Sequence, residues 1–208
     1  MKVDLTAGRG LMQAQVVEHG ILATSDLEGI VNNLFHACGA IPHPKDISPT
    51  MREDFTKTTL ANNVADLVLF DPPFIIHAPP KESFKTRGLF DRFGYYRNRD
   101  EMATTLKAGF AEIARILAPD GLAIFKWGSG SIPLEKVRPH FGRLVVDKVI
   151  EKESFRVFAG TKKPKTTYYV FLRHDCPHVV SPSPDGCLDC TPGSPDIWRP
   201  FDNLGTKP

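Results

Sequence analysis

The sequence predicts a three-layer α/β fold in which helices cover both faces of a largely parallel sheet. Residues 65–70 form a near-continuous apolar run, which is typical of a strand buried on both faces of a parallel sheet. Residues 100–117 carry apolar side chains at helical spacing, with Asp100 as the expected cap, and a second apolar run follows at 122–127. Residues 167–172 are strongly β-prone. This alternation of strands and helices indicates an α/β sheet.

The first third of the chain is predicted to contain three strands before the central one. Residues 2–6 form a first strand and residues 11–19 a short helix. Residues 20–28 are predicted to be a second strand that ends in acidic side chains, and residues 27–38 a helix. Residues 50–55 are predicted to form a third short strand.

The last ordered part is predicted to close the sheet with an antiparallel pair. After the strand at 122–127, whose last residues Lys126 and Trp127 are expected to border a substrate pocket, residues 132–141 form a short helix. Residues 143–151 and 166–173 are then two strands, with a connection short enough for a hairpin.

Composition limits the class of protein. The 208 residues, 41% of them hydrophobic, are enough for one domain with a full core and a small appendage. Lys and Arg number 26 against 24 acidic residues, a net charge of +2, so any nucleic-acid surface has to be a local patch. No apolar stretch approaches the roughly 20 residues of a bilayer span, and no signal-peptide core is visible. We expect a cytoplasmic protein that does not enter membranes.

The segment Asp71-Pro72-Pro73-Phe74 follows the central apolar run and is the most informative motif. Two prolines fix the backbone and hold the Asp71 carboxylate and the Pro72 carbonyl at the carboxyl end of the strand, where open α/β sheets bind ligands. Both groups only accept hydrogen bonds, so together they suit a group with two donors, such as an exocyclic amine. The alternative is a strand followed by an ordinary proline-rich turn.

A second motif, Gly8-Arg9-Gly10, follows the first strand and allows the backbone to bend tightly beside a ligand. The dinucleotide fingerprint requires a further glycine at position 13, where Gln13 stands. This substitution disfavours a nicotinamide or flavin site.

Asp71-Pro72-Pro73-Phe74 resembles the catalytic motif of the amino-methyltransferases, which transfer methyl from S-adenosylmethionine to an exocyclic nitrogen of adenine or cytosine. The stretch from Asp4 to Gly10 is similar to the methyltransferase glycine loop. The resemblance covers residues 1–174 and implies a Rossmann-like methyltransferase sheet that ends in an antiparallel hairpin.

The resemblance also implies which residues bind the cofactor. They are Asp4, Thr6, Gly8, Gly10, Asp26, Glu28, Asp54 and Phe55. The first four would surround the methionine part, Asp26 or else Glu28 would bind the ribose, and Asp54 and Phe55 would contact the adenine. A helix cap formed by Ser25 or Asp26 is the alternative, and compatible, interpretation.

For the acceptor, the resemblance implies an amine held by Asp71 and the Pro72 carbonyl, on a base stacked against Phe74. Such a base must be single-stranded or flipped out of a duplex of DNA or RNA. Adenine is preferred over cytosine. Two alternatives stay open: a protein glutamine side chain, although Asn opens the motif in that family, and a non-catalytic nucleic-acid-binding module.

Two further regions favour a polyanionic partner. Residues 75–99 interleave basic and aromatic side chains, a pattern that suits nucleic acid, although aromatic side chains of a flap packed on the core are the alternative. Lys162, Lys163 and Lys165 are a candidate phosphate-binding patch, with a solvated hairpin tip as the alternative.

The tail at 175–208 changes to a composition rich in Pro, Ser, Asp and Gly. Cys176, His178, Cys187 and Cys190 provide four ligands in two clamps, as a closed tetrahedral zinc site requires. We expect a structural zinc that orders this small unit, with reduced, non-ligand cysteines as the alternative.

Overall fold

A computed structural model describes residues 1–6, 11–34, 51–76, 95–128, 132–158 and 161–175. Within these ranges the strands are β1 (Lys2–Asp4), β2 (Ile30–Leu34), β3 (Met51–Arg52), β4 (Ala65–Phe70), β5 (Leu117–Gly128), β6 (Leu144–Phe158) and β7 (Thr161–His174). The α-helices are α1 (Leu11–Glu18) and α2 (Arg99–Ile116). Short 3₁₀ turns occupy Thr24–Leu27, Leu134–Lys136 and Arg138–His140.

The described strands form one seven-stranded sheet in the order β3-β2-β1-β4-β5-β7-β6. Strands β1 to β5 are parallel to one another, whereas β7 runs antiparallel to both β5 and β6. This confirms the predicted α/β class and the closing antiparallel hairpin. The arrangement is consistent with the methyltransferase sheet that the sequence resemblance implies.

The alternating side chains of β4 separate two hydrophobic cores. Val68 and Phe70 pack with the buried face of α2 in the larger cluster. Leu67 and Leu69 pack with Met12 and Val16 of α1 in the smaller one. Because successive side chains of a strand point to opposite faces, the two helices lie on opposite sides of the sheet. The central strand is therefore covered on both faces, as its apolar run predicts.

The cap of α2 is Asn98 rather than the predicted Asp100. The Asn98 side chain accepts a hydrogen bond from the backbone N–H of Glu101 at 2.8 Å. The helix begins at Arg99, which puts Asp100 in the first turn, where a carboxylate interacts favourably with the helix dipole.

The predictions of a strand at 20–28 and of a helix from residue 27 were wrong over the described residues, which extend to Leu34. Gly20 and Gly29 adopt positive φ angles of 64° and 72°, and β2 begins only at Ile30. Between them the Asp26 carboxylate accepts a hydrogen bond from the Ala23 N–H at 2.8 Å. Short polar side chains that bond locally to the backbone compete with strand formation, which explains the 3₁₀ turn over Thr24–Leu27. Within the range of the predicted helix, Ile30–Leu34 form strand β2.

Two predictions near the end of the chain also need correction. The predicted helix at 132–141 consists of two 3₁₀ turns, one following Pro133 and the other containing Pro139. The hairpin strands are longer than predicted, because their pairing continues to Phe158 and Thr161. Pro164 lies within β7, where that strand no longer pairs with β5, so the missing N–H removes no bond to that neighbour.

The predicted boundary between the domain at 1–174 and the tail at 175–208 lies at the end of the described residues. In the part of the chain that the structure describes, no helix is both long and apolar enough to cross a bilayer.

Candidate active site at the carboxyl edge of the sheet

The candidate site lies where β1, β4 and β5 end side by side. The last pair between β4 and β5 joins Phe70 to Phe125, so Asp71 and Lys126 are the next residues on the two strands. On the other side, the Leu5 N–H donates to the Leu69 carbonyl at 3.0 Å and continues the alignment of β1 with β4. Three chain segments therefore converge around Asp71.

Asp71 forms an ion pair between its Oδ2 and the Nζ of Lys126. The two side chains are 21% and 15% exposed, so the pair is screened less than a surface ion pair. The Asp71 N–H donates to Thr6 Oγ1 at 2.6 Å, which fixes the backbone of the motif against the end of β1. Lys126 thus holds Oδ2, and Oδ1 is the oxygen that we expect to accept a donor from a substrate.

Asp4 supports this arrangement from inside the protein. It is fully buried, and its Oδ1 accepts the Thr6 N–H while its Oδ2 accepts Gln13 Nε2, both at 3.0 Å. Burial raises the pKa of Asp4 to about 6, the hydrogen bonds oppose that change, and the nearby charge of Asp71 adds to it. Both oxygens of this buried carboxylate are bonded within the protein, and the contact of Asp4 with the cofactor stays a prediction.

The role of Gln13 was not recognised in the sequence. In the sequence, Gln13 stands out only as the residue that replaces the third glycine of a dinucleotide loop. In the structure its side-chain amide binds Asp4. A polar side chain on the first turn of the helix that follows a glycine loop was the available signal.

The motif continues with Pro72, which is buried, and with Pro73 and Phe74, which are partly exposed. The ring of Phe74 packs on the larger core, and Lys165 of β7 lies with its Nζ 5.0 Å from the ring centroid. This distance is within the range of cation–π interactions. A Cβ on Gly128 would lie 3.1 Å from Lys165 Cε, so the glycine leaves the space that Lys165 occupies.

The chain beyond Phe74 is anchored to the residues that precede α2. Ile76 forms a parallel bridge with Tyr96, and the Tyr96 N–H donates to the Ile75 carbonyl at 2.9 Å. The residues that follow the motif and the residues that precede α2 therefore lie next to each other, beside the site. Most of the predicted basic and aromatic segment, residues 77–94, lies outside the described residues.

Trp127 is a core residue and not part of a pocket. It is fully buried next to Phe125, and its Nε1 donates to the Ile132 carbonyl at 2.9 Å. Lys126, its neighbour, points the other way toward Asp71, as alternation along a strand requires.

The two residues predicted to contact the adenine behave differently. Asp54 is exposed just beyond β3, and its Oδ1 accepts both the N–H and the hydroxyl of Thr56, at 2.7 and 2.6 Å. Phe55 is 1% exposed, with its ring edge-on to Phe70 and against Gly109 of α2. The Phe55 ring thus packs in the core of the described chain, and its stacking on the adenine stays a prediction.

Asp26 and Glu28 lie at the opposite edge of the sheet. They precede β2, whose first residue Ile30 pairs with Lys2 at the start of β1. The Lys2 ammonium also donates to the Ser25 carbonyl at 3.2 Å. The structure does not bring these acids to the strand exits, so it gives no support to their predicted ribose contact.

Several predicted site residues lie outside the described residues: Gly8, Gly10, Cys176, His178, Cys187 and Cys190. Among the residues that are described, His, Cys, Asp and Glu side chains form no group of three or more that could hold a metal ion. The zinc site in the tail stays a prediction.

Comparison with known proteins gives structural similarities only. No protein-family profile matches the sequence, and no curated protein is similar to it. Similar solved structures include a TehB-like S-adenosylmethionine-dependent methyltransferase from Corynebacterium glutamicum (13% identity, 83% of this chain and 78% of that chain covered, TM-score 0.41). They also include an S-adenosylmethionine-dependent methyltransferase from Methanosarcina mazei (9%, 83% and 91%, 0.39) and a geranyl diphosphate C-methyltransferase from Streptomyces coelicolor (12%, 82% and 68%, 0.40). The strand order and the antiparallel β7 are consistent with a methyltransferase sheet.

Proposed function

We propose that the protein is an S-adenosylmethionine-dependent methyltransferase that acts on an exocyclic amine of a nucleic-acid base, adenine rather than cytosine. The observation that carries this proposal is the position of Asp71-Pro72-Pro73-Phe74 at the carboxyl end of the central strand. A partly exposed carboxylate at that edge, beside a partly exposed aromatic ring, suits a planar base with an amine.

Asp71 orients the acceptor in this proposal. An amine conjugated to a ring is a weak nucleophile, so the nitrogen lone pair has to be aimed at the methyl group. Asp71 Oδ1 accepts one N–H and the Pro72 carbonyl accepts the other, while Lys126 holds Oδ2. Positioning of this kind contributes several kcal/mol to lowering a barrier. As the nitrogen–carbon bond forms, the methyl–sulfur bond would break and the sulfur would leave as a neutral thioether. The amine then loses one proton, for which the Asp71 carboxylate is the adjacent acceptor.

The chain's own residues also fit the cofactor in part. When bound, S-adenosylmethionine supplies an electrophilic methyl on a positively charged sulfur. Thr6 and Asp54 are the described residues at the carboxyl edge that would hold it, together with the glycine loop. Thr6 also bonds to the Asp71 backbone, so one residue would link the cofactor side to the acceptor side.

The base would stack on Phe74 after leaving its helix or from a single strand. Lys165 lies over that ring and would have to shift when a base takes its place. The basic and aromatic residues of segment 75–99 would contact the same nucleic acid. We further propose that the tail binds one zinc through Cys176, His178, Cys187 and Cys190, with a structural role only.

Transfer of tritium from methyl-labelled S-adenosylmethionine to DNA, RNA or protein tests this function. We expect label in a nucleic-acid base with the wild-type protein and its loss with Asp71→Ala. The matched control is Asp66→Ala, an exposed aspartate on the same strand that pairs with the N-terminal amine. Label in protein would favour glutamine as the acceptor, and no transfer to any acceptor would favour a non-catalytic module.

A further inference from the structure

The β6–β7 hairpin extends beyond the rest of the sheet. The last pair between β5 and β7 joins Gly128 to Thr167, whereas β7 begins six residues earlier, at Thr161. Throughout this extension β7 stays paired with β6, from Glu153↔Thr166 to Phe158↔Thr161. We call these two segments, residues 153–158 and 161–166, the β6–β7 ribbon. At about 3.4 Å per residue the ribbon is roughly 20 Å long.

The direction of the ribbon is fixed by the strand pairing. β5 is parallel to β4 and ends at the carboxyl edge, and β7 is antiparallel to β5. The beginning of β7 must therefore project past the carboxyl edge. This is the edge that carries Asp71.

The ribbon is connected to the candidate site through Lys165. Its Nζ lies 5.0 Å from the centroid of Phe74, and Gly128 at the end of β5 leaves room for it. The base of the ribbon thus adjoins the ring on which the acceptor base is proposed to stack.

The ribbon carries a high positive charge. Its residues include four basic side chains, Arg156, Lys162, Lys163 and Lys165, against one acid, Glu153. The resulting net charge of +3 exceeds the +2 of the whole 208-residue chain. Lysines on an edge strand also prevent edge-to-edge association of sheets. That role alone does not explain why the ribbon lies beside the site or why Lys165 contacts Phe74.

We propose that the β6–β7 ribbon is the surface that binds the nucleic-acid backbone. The choice of ligand rests on the proposed function. The ribbon is a positively charged element beside the site, and its lysines would neutralise the phosphates on either side of the base held at Asp71. Lys165, displaced from Phe74 by the incoming base, would move to the nearest phosphate.

The test is the salt dependence of binding to a fluorescein-labelled single-stranded DNA, followed by fluorescence anisotropy. The variant replaces Lys162, Lys163 and Lys165 by Gln, and the control is Lys107→Gln, an exposed lysine in the middle of α2. Each phosphate contact adds about 0.7 to the slope of log affinity against log salt for single strands. We expect the triple variant to lower the slope by about 2 and the affinity at least tenfold at about 0.1 M salt. Replacement of the same lysines by Arg should preserve both.

An unchanged slope in the triple variant would overturn the proposal, as would a wild-type protein that binds neither DNA nor RNA. If the triple variant does not fold, Lys163→Gln alone should lower the slope by about 0.7. An unchanged slope in that single variant would also overturn the proposal. Methyl transfer separates this inference from the proposed function. Label in nucleic acid with an unchanged slope would refute only the ribbon surface. Ribbon-dependent binding with label in protein would refute only the proposed acceptor.

Discussion

Asp71 and Lys126 form an ion pair one residue beyond the last paired residues of two adjacent parallel strands. The pair fixes one oxygen of the carboxylate and supplies a positive charge beside it. An acceptor amine at the other oxygen would therefore meet a carboxylate whose orientation is set before the substrate arrives. Such preorganisation lowers the cost of reaching the reactive geometry.

Replacement of Lys126 by Met should lower the turnover of methyl transfer on the order of tenfold, because Asp71 loses the group that fixes its orientation. Lys126→Arg keeps the charge and should retain most of the activity. Steady-state kinetics on the acceptor identified by labelling will measure both. A Met variant with wild-type turnover would show that the ion pair has no role in positioning Asp71.

Asp4 should make the stability of the protein depend on pH. Its pKa is about 6 in the folded state against an ordinary value of 3.8. The contribution of Asp4 to the free energy of unfolding is therefore fully present below pH 3.8 and is lost as the pH rises through 6. From pH 5 to pH 8 the expected loss is about 1 to 2 kcal/mol. Asp4→Asn should remove this dependence, since Asn can still bond to the Thr6 N–H and to a flipped Gln13 amide.

Urea unfolding of wild type and Asp4→Asn at several pH values measures the effect. The control is Asp66→Asn. The N-terminal amine lowers the pKa of Asp66, so its contribution is lost only as the pH falls through that lowered value. Parallel pH profiles for wild type and Asp4→Asn would contradict the buried, charged state inferred for Asp4.

The cofactor contact is predicted to involve Asp54 and not Asp26. Asp54 lies beyond β3 at the carboxyl edge, whereas Asp26 precedes β2 at the other edge. Asp54→Ala should weaken S-adenosylmethionine binding about tenfold, the loss expected for one hydrogen bond to a charged acceptor. Isothermal titration calorimetry will compare the S-adenosylmethionine affinity of Asp54→Ala with that of Asp26→Ala, the matched variant. Weaker binding in Asp26→Ala would restore the ribose role that the sequence resemblance implied.

The secondary-structure elements that were predicted correctly have short-range patterns in the sequence. The apolar run of β4 and the helical spacing of α2 are such patterns, and both elements have the predicted type and nearly the predicted bounds. The closing hairpin is another, because its β-prone strands are separated by a short connection.

The features of the site that the sequence did not predict depend on contacts between residues far apart in sequence. Phe55 was assigned to the cofactor, but its ring fills the space beside Gly109, where a Cβ would lie 2.9 Å from Phe55 Cε2. The pairing of Lys126 with Asp71 depends on the register between β4 and β5. Neither relationship has a signature within a short window of sequence.

The tail is predicted to hold one zinc ion per chain. Cys176, His178, Cys187 and Cys190 supply the four ligands of a closed site, and Cys187→Ser should abolish metal binding. Elemental analysis of protein purified without added metal measures the content, with Cys38→Ser as the matched cysteine variant. A wild-type protein without bound metal would remove the zinc prediction without affecting the site at Asp71.

The central claim is that Asp71 orients the acceptor amine, and Asp71→Ala tests it directly. The variant should lose on the order of a hundredfold or more in turnover, because one of two acceptors for the amine is gone. Its affinity for S-adenosylmethionine should stay close to wild type, since Asp71 acts on the acceptor and not on the cofactor. The decisive measurement is turnover on the labelled nucleic-acid acceptor together with calorimetric cofactor binding in the same variant. Low turnover with intact cofactor binding is the predicted result, and wild-type turnover would contradict the account.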